Sequence, residues 1–433
     1  MRLSPTITKY ITNIFWLAFE KTFGLFVGAV VGIYVARYLK PESFGLLNYS
    51  MSFVSIFAAL ATLGIDQIMV RELSRDTGRN NDLLGTGFIL KGAGSLIVFV
   101  VTAVALLFMK HDSFTNILIL IVASAELFKG FEVINYFFQA KVLSKFVAPV
   151  QLVLNLFISV VKIAMVFMHA PLIWFAIVVV VAAVLNAAGY YYSYRKKEGS
   201  VFSWRYSRQI ATELLKESWP LALYGIALNI QARIDQVMLG RLMNNYQVGQ
   251  YSVALKFIEI FGFVPVILMN TFMPAITKAK SISTDLYHSR LVNLYRIMFA
   301  CFLAVSIPIY FFAKDVISLL YGPDYETAGY LLSLFALRLF FSNMGVAKSV
   351  FIINESLFRY SLLTVIVGAA ANIIMNFVLI PAAGPKGAIL ASMFSFVISI
   401  FLVDLFFDKT RLNQQLMFKG IFGFWKLNPS QFE

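Results

Sequence analysis

Charged side chains occur inside long apolar stretches of this chain, where each of them needs an explanation. A charge at the centre of a bilayer costs about 2.5–3.5 kcal/mol on insertion scales, so such residues usually face a protein interior or a water-filled cavity. Lysine and arginine in a cavity suit an anionic ligand such as a diphosphate, because they form charge-assisted hydrogen bonds with phosphate oxygens. The residues concerned are the basic Lys21, Lys129, Lys162, Arg233, Lys256 and Arg338 and the acidic Glu20, Glu126, Glu132, Asp235 and Glu259.

Four of these cations lie deep in apolar stretches of both halves of the chain. We predict that they line a substrate-binding cavity: Lys21, Arg233, Lys256 and Arg338. Glu259 is the expected counter-ion of Lys256, because residues three apart share a helical face. The competing interpretation is structural, with the charges pairing between helices or the long side chains reaching the lipid headgroups.

The acidic residues have two interpretations as well. Glu20, Asp235 and Glu259 are candidates to carry a coupled proton, or they pair with nearby cations. Asp235 lies roughly 200° around the helix from Arg233, so these two side chains are not expected to pair. Glu126 and Lys129 are assigned either to ion coupling or to charge pairing in an interhelical network.

The composition determines the class of protein that must position these side chains. Of 433 residues, 60% are hydrophobic and 13% are charged, whereas soluble proteins are roughly half apolar and about a quarter charged. Uncharged runs such as "SLIVFVVTAVALLFM" approach the roughly 20 residues that cross a bilayer as a helix. They lack the alternation of barrel strands. The sequence therefore predicts an all-α polytopic membrane protein.

The cysteine and histidine content indicates neither a metal site nor a cofactor. A single cysteine, Cys301, excludes an internal disulfide, and the three histidines are scattered without metal-ligand spacing. We expect no cofactor and no structural metal.

Hydropathy predicts twelve transmembrane helices in two six-helix bundles. The predicted spans are 11–38, 44–65, 84–109, 114–137, 146–168, 171–194, 218–241, 247–275, 291–312, 328–348, 357–380 and 386–407. The predicted domains are an N-terminal bundle (1–195), a cytoplasmic linker (196–217), a C-terminal bundle (218–408) and a cytoplasmic tail (409–433).

The distribution of positive charge predicts the orientation. Most of the 36 basic residues fall at one side of the predicted spans, Lys91 and Lys348 included. The positive-inside rule then places both termini in the cytoplasm. The basic residues are spread over many short loops, so a nucleic-acid partner is not expected.

Two outer loops indicate an internal repeat. Residues 36–49, "ARYLKPESFGLLNY", and residues 240–253, "GRLMNNYQVGQYSV", share an arginine and a glycine at the same offset, Arg37 with Arg241 and Gly45 with Gly249. An even number of spans in each half makes the repeats parallel, as in many transporters.

The stretch 35–75, "VARYLKPESFGLLNYSMSFVSIFAALATLGIDQIMVRELSR", closely resembles the signature of the polysaccharide-export flippases, typified by the O-antigen flippases. Arg37, Gly45 and Arg71 belong to this motif. Residues 249–265, "GQYSVALKFIEIFGFVP", resemble its second-half counterpart. That family is part of the multidrug/oligosaccharidyl-lipid/polysaccharide exporter superfamily.

The resemblance implies a V-shaped pair of bundles around a central cavity. It also implies transport of an undecaprenyl-diphosphate-linked oligosaccharide, such as an O-antigen unit for lipopolysaccharide, across the bacterial inner membrane from the cytoplasmic to the periplasmic leaflet. The expected partners are this lipid-linked oligosaccharide, membrane lipids, H⁺ or another coupling ion, and polysaccharide polymerase machinery. The expected mechanism is alternating access by rocking of the two halves.

Two other functions are compatible with the class. An ion-coupled multidrug or cation exporter would bind its substrate through acidic groups, whereas buried cations outnumber buried acids here. A membrane polysaccharide polymerase would need a substantial outer loop with paired carboxylates, and the predicted outer loops are short. No GxxxxGK[ST] phosphate-binding motif occurs. We therefore expect a transporter, with no covalent chemistry.

Overall fold

The structure is a computed structural model that describes residues 5–75 and 78–427. These residues form fourteen α-helices and no β-strand. The helices are α1 Pro5–Thr62, α2 Asp66–Arg75, α3 Asn80–Phe108, α4 Ser113–Ser124, α5 Glu132–Ala140, α6 Ala148–Phe167, α7 Leu172–Lys197, α8 Arg208–Leu242, α9 Asn245–Phe261, α10 Phe263–Ile282, α11 Thr284–Tyr321, α12 Glu326–Asn354, α13 Phe358–Phe396 and α14 Asp408–Ile421.

The chain divides into two compact units, residues 1–233 and 234–433, with the boundary inside α8. In the first unit, α1 packs along α3 and α6, and its core includes the buried Met69, Leu84 and Phe138. In the second unit, α11 packs against α12 and α14, around Tyr295 and Met417.

Hydropathy identifies the helices that can cross a membrane. In the described part of the chain, eight helical stretches are long and apolar enough, and two of them, of 57 and 49 residues, are long enough for two crossings each. All twelve predicted spans are largely helical, although the number of crossings itself stays a prediction. The chain is an all-α, multi-pass membrane protein.

The first predicted outer loop is much tighter than the sequence indicated. Helix α1 runs through it, and helical geometry is lost only at Lys40, which has φ 58° and precedes Pro41. Gly384, with φ 58°, precedes Pro385 in the same way within α13. A residue before proline is disfavoured in the helical region, so each pair breaks one long helix into two segments.

The span predicted at 114–137 is not one regular helix. Residues Ala125–Phe131 form a 3₁₀ segment between α4 and α5, and this segment contains Glu126 and Lys129. Stretches of 3₁₀ helix in the middle of a helical region change which face each side chain occupies. The arc expected for residues spaced by three in a regular α-helix is therefore lost here.

Three other local expectations differ from the structure. The span expected at 247–275 is interrupted at Gly262, between α9 and α10. Helix α8 begins at Arg208, inside the predicted linker 196–217. In the tail, α14 packs into the second unit's core through Leu416, Met417 and Ile421.

Candidate functional site

The four predicted cavity cations all lie on helices, and none is fully buried. Lys21 on α1 is exposed and Arg233 on α8 is partly exposed, both in the first unit. Lys256 on α9 and Arg338 on α12 are partly exposed and belong to the second unit. Each unit therefore supplies two accessible cations, and their assignment to one substrate site stays a prediction.

Arg338 has aromatic neighbours. Its guanidinium carbon lies 5.5 Å from the centroid of the Phe335 ring and 5.3 Å from that of Phe396, within the roughly 6 Å reach of a cation–π interaction. The rings hold the planar guanidinium without occupying its hydrogen-bond donors. An arginine supported in this way can still bind an anionic ligand in bidentate fashion.

Asp235 is the centre of a buried polar cluster in the second unit, and it is only 2% exposed. Its carboxylate accepts hydrogen bonds from Tyr251 Oη at 2.6 Å, from Asn376 Nδ2 at 2.8 Å and from Ser392 Oγ. Asn376 Oδ1 and both amide atoms of Asn372 are buried without a hydrogen-bond partner among the described residues. Buried polar atoms of this kind usually bind water or an ion.

The donor set around Asp235 is made largely of oxygen atoms from α8, α9 and α13. Carboxylate, amide and hydroxyl oxygens suit hard cations rather than transition metals. In the described residues no group of three or more histidine, cysteine or acidic side chains could hold a metal.

A second charged cluster surrounds Lys91. It was not predicted, because the charge distribution placed Lys91 at one side of the membrane. In the structure Lys91 lies on α3 and is fully buried. Its ammonium group contacts Asp66 Oδ1 at 3.0 Å, Glu132 Oε2 at 2.7 Å and Tyr136 Oη at 2.6 Å. Its position inside the apolar run 84–109 was the available signal.

Lys348 makes similar contacts with a carboxylate and a tyrosine in the second unit. The charge distribution also placed Lys348 at one side of the membrane. It is 3% exposed, and its ammonium group lies 2.5 Å from Asp404 Oδ1 and 2.9 Å from the Ile400 carbonyl oxygen. Tyr360 also donates a hydrogen bond to Asp404. Asp404 was not singled out from the sequence, since it lies at the end of the last apolar run.

The remaining acidic candidates are placed separately. Glu126 and Lys129 form an ion pair at 2.6 Å within the 3₁₀ segment, whereas Glu132 contacts α3 through Lys91. Glu126 and Lys129 therefore pair within one segment, and a contact between helices forms through Glu132 and Lys91; the roles assigned to Glu126 and Lys129 stay predictions. Glu20 is half-buried and Glu259 is exposed, and their proposed roles in ion coupling are still predictions.

Among the motif residues, Arg71 makes the clearest contact. Its guanidinium forms two hydrogen bonds with the Glu217 carboxylate, Nη1 to Oε1 at 2.5 Å and Nη2 to Oε2 at 2.6 Å. This hydrogen bonding holds the pKa of Glu217 below its ordinary value. Arg37 is exposed and Gly45 is buried, both in α1. Arg71 therefore ties α2 to the start of α8, within the first unit.

The sequence of residues 10–280 matches the model of the polysaccharide biosynthesis protein family. Because this match covers more than half of the chain, the protein belongs to that family. An uncharacterised membrane protein of Methanocaldococcus jannaschii is 21% identical, and the alignment covers 98% of this chain and 90% of the relative.

Two solved structures define the fold. The lipid II flippase MurJ, in an inward closed conformation, superposes with a TM-score of 0.74 at 14% identity, covering 95% of this chain and 91% of MurJ. An inward-facing multidrug resistance transporter of the MATE family and MOP superfamily gives a TM-score of 0.65 at 16% identity, covering 94% and 99%. The chain therefore shares the fold of these two proteins.

Proposed function

We propose that this protein is a flippase for an undecaprenyl-diphosphate-linked oligosaccharide, such as an O-antigen or similar surface-polysaccharide repeat unit. It moves this substrate by alternating access from the cytoplasmic to the periplasmic leaflet of the bacterial inner membrane, with both chain termini in the cytoplasm. The observation that carries the proposal is the presence of accessible cations on apolar helices of a polysaccharide biosynthesis family member.

In the proposed mechanism Lys21, Arg233, Lys256 and Arg338 bind the diphosphate. Lys21 and Arg233 belong to the first unit, and Lys256 and Arg338 belong to the second. Each charge-assisted hydrogen bond contributes about 1.5–3 kcal/mol, enough to draw a diphosphate away from the headgroup region. The chain's own groups only bind and release, and they form no covalent intermediate.

Asp235 is the proposed coupling group, for H⁺ or another coupling ion. Its carboxylate is buried and accepts three hydrogen bonds, from Tyr251, Asn376 and Ser392. Binding of a proton or a small cation there would change these contacts between α8, α9 and α13, so an ion gradient across the membrane can bias the conformations that they stabilise. Transfer of the glycan to polysaccharide polymerase machinery on the outer face would then remove the product.

A direct flipping assay tests this function. The full chain is reconstituted into liposomes with a polyprenyl-diphosphate oligosaccharide in one leaflet, and cleavage of the glycan by a soluble glycosidase on the other side is followed. We expect cleavage with the wild type and a loss of about tenfold or more in rate for Arg338→Ala or Lys21→Ala, because each removes a charge-assisted contact. Lys409→Ala, at an exposed position on α14, is the matched control and should keep the wild-type rate.

The second candidate function is ion-coupled export of small organic cations. The similarity of the fold to a MATE transporter and the buried carboxylate of Asp235 favour it. If wild-type liposomes exported a small organic cation and exposed no glycan under any gradient, the exporter function would replace the flippase.

A further inference from the structure

A cavity of about 780 Å³ lies in the first unit, away from the predicted substrate cations. It is formed by α3, the 3₁₀ segment Ala125–Phe131, α7 and the linker residues 201–206. We name it the linker pocket. Its volume falls in the roughly 300–1,000 Å³ range of small-molecule sites. Its principal lining residues are Phe88, Phe128, Phe131, Val184, Trp204 and Tyr206.

The linker is hydrogen-bonded to α3 and forms one wall of the pocket, which is open on its other side. The Arg205 amide donates a hydrogen bond to the Asn81 carbonyl oxygen at 3.2 Å, and the Ser207 amide donates one to Thr86 Oγ1 at 2.9 Å. Gly85 permits this approach, because a Cβ there would lie 2.4 Å from the Arg205 carbonyl oxygen. The pocket is thus a built feature of the folded unit.

The chemistry of the lining selects a hydrocarbon ligand. The rings of Phe88 and Trp204 lie 5.7 Å apart and those of Phe88 and Phe131 lie 5.1 Å apart. The indole nitrogen of Trp204 already donates to Tyr194 Oη at 3.1 Å. The lining is therefore almost wholly apolar and offers little to a sugar. Along α7 the pocket extends from Val184 to Tyr191, about two helical turns or 10 Å, which fits part of one acyl chain within one leaflet.

Basic residues flank the apolar lining. Arg205 is exposed between the lining residues Trp204 and Tyr206, and Arg195 lies one turn beyond the lining residue Tyr191 on the same face of α7. Further exposed cations of this segment are Lys196, Lys197 and Arg208. Clusters of four to eight basic residues next to a transmembrane helix are typical of sites for anionic lipid headgroups.

From this juxtaposition we propose that the linker pocket binds an anionic phospholipid. One acyl chain occupies the pocket, and Arg205 and Arg195 hold the headgroup phosphate. Phe202, which lines the pocket and is 89% exposed, serves as an interfacial anchor of the kind that aromatic residues provide. The bound lipid keeps the linker at the membrane surface.

Photolabelling in nanodiscs tests the site. The full chain is placed in bilayers that contain, at equal mole fraction, phosphatidylglycerol or phosphatidylcholine with a photoreactive group on one acyl chain. Labelled peptides are then mapped by mass spectrometry. We expect the phosphatidylglycerol reagent to label residues 125–131 and 184–191 several-fold more than the phosphatidylcholine reagent does. Arg205→Gln should lower this preference about fivefold, because each basic residue near a surface contributes about that factor for anionic lipid.

Filling the pocket supplies the steric test. Ala188→Trp places a large ring at an exposed lining position and should reduce labelling at 125–131 about tenfold. If Ala188→Trp does not fold, Val184→Phe, on the same helix, replaces it in this test. Ala164→Trp, at an exposed position on α6 outside the pocket, should label as the wild type does.

Two results would overturn the proposal. In the first, both lipid reagents label the protein equally, and Ala188→Trp does not change that labelling. This result would show only general contact with the bilayer. Displacement of the phosphatidylglycerol label by an equimolar polyprenyl phosphate would assign the pocket to the transported lipid instead. Neither result depends on flipping activity, so the flippase proposal is tested separately.

Discussion

At the scale of single residues, the buried lysines Lys91 and Lys348 follow one chemical rule. Each ammonium group contacts a carboxylate and a tyrosine hydroxyl, Lys91 with Glu132 and Tyr136 and Lys348 with Asp404 and Tyr360. A buried charge is tolerated only when it is paired and hydrogen-bonded. These two lysines therefore stabilise the packing of the helices, and we do not assign them to substrate binding.

We predict that Lys91→Met destabilises the protein. The substitution leaves Asp66 and Glu132 facing each other without their shared counter-ion. Breaking a buried pair typically costs about 3–5 kcal/mol, and the effect here should fall toward the lower end, because both acidic side chains are 34% exposed. Thermal unfolding in detergent measures it.

The matched control for this prediction is Arg75→Met, which removes one partner of Glu72 in an ion pair whose side chains are 69% and 30% exposed. Partly exposed pairs contribute about 0–1 kcal/mol, so its unfolding temperature should barely change. Equal unfolding temperatures for the two variants would contradict the role assigned to Lys91.

At the scale of helices, the turn between α1 and α2 depends on a glycine. Gly64 has φ +68°, and a Cβ there would lie 2.5 Å from the Ala222 nitrogen and 2.7 Å from the Ser218 carbonyl oxygen. The end of α1 thus packs directly on the backbone of α8. By contrast, a Cβ on Gly28 or Gly32 would meet nothing described within 4 Å. Close helix packing therefore does not account for these two glycines.

We predict opposite outcomes for two alanine substitutions in this region. Gly64→Ala combines a left-handed conformation with a backbone clash, and each costs of order 1 kcal/mol or more, so it should lower the unfolding temperature and the yield of folded protein. Gly28→Ala should be neutral or stabilising by up to about 1 kcal/mol, because alanine favours helix. Size-exclusion chromatography and thermal unfolding compare them. A Gly64→Ala variant as stable as the wild type would contradict the close packing of Gly64 on the backbone of α8.

The contact between Arg71 and Glu217 joins α2 to α8, and its pH dependence has a defined sign. The pKa of Glu217 is lowered in the folded protein, so the stabilisation is fully present at neutral pH and is lost as pH falls through that lowered pKa. Glu217→Gln should cost about 0–1 kcal/mol at pH 7, and the difference from wild type should vanish in acid. The exchange Arg71→Glu with Glu217→Arg should recover part of the loss. A difference that persisted unchanged in acid would exclude an ionic origin.

At the scale of the whole molecule, the division into units does not follow the polar linker. The first unit extends to Arg233, because α8 begins against α1 and α2 before it reaches the second unit. Asp235, two residues later, is bonded to α9 and α13. Helix α8 therefore carries both the end of the first unit and the buried carboxylate of the second.

We predict that Asp235→Asn uncouples transport. The amide keeps the size and one hydrogen-bond acceptor but cannot take up a proton or carry charge. In the flipping assay, flux should lose its dependence on an imposed ion gradient and fall to the rate seen without one. Asp408→Asn, whose side chain is 97% exposed, should keep full gradient dependence. If Asp235→Asn responded to the gradient as the wild type does, the coupling group would lie elsewhere.

Much of the fold could be predicted from the sequence. The all-helical class follows from long apolar runs, since a backbone in hydrocarbon must form its own hydrogen bonds. The family motif at 35–75 lies within the stretch that matches the polysaccharide biosynthesis family. Local pairs such as Glu126 with Lys129 were also accessible, because helical spacing alone brings residues three apart together.

The tertiary structure alone decided which charges are buried and which are available. Lys91 meets Asp66 and Glu132 across 25 and 41 residues of sequence, and Asp235 meets Asn376 across 141. Helical periodicity orients a side chain on its own helix but says nothing about the neighbouring helix. The sequence therefore determined that charges lie within the membrane-spanning helices, whereas packing determined their partners, because the cost of a buried charge is set by the groups that surround it.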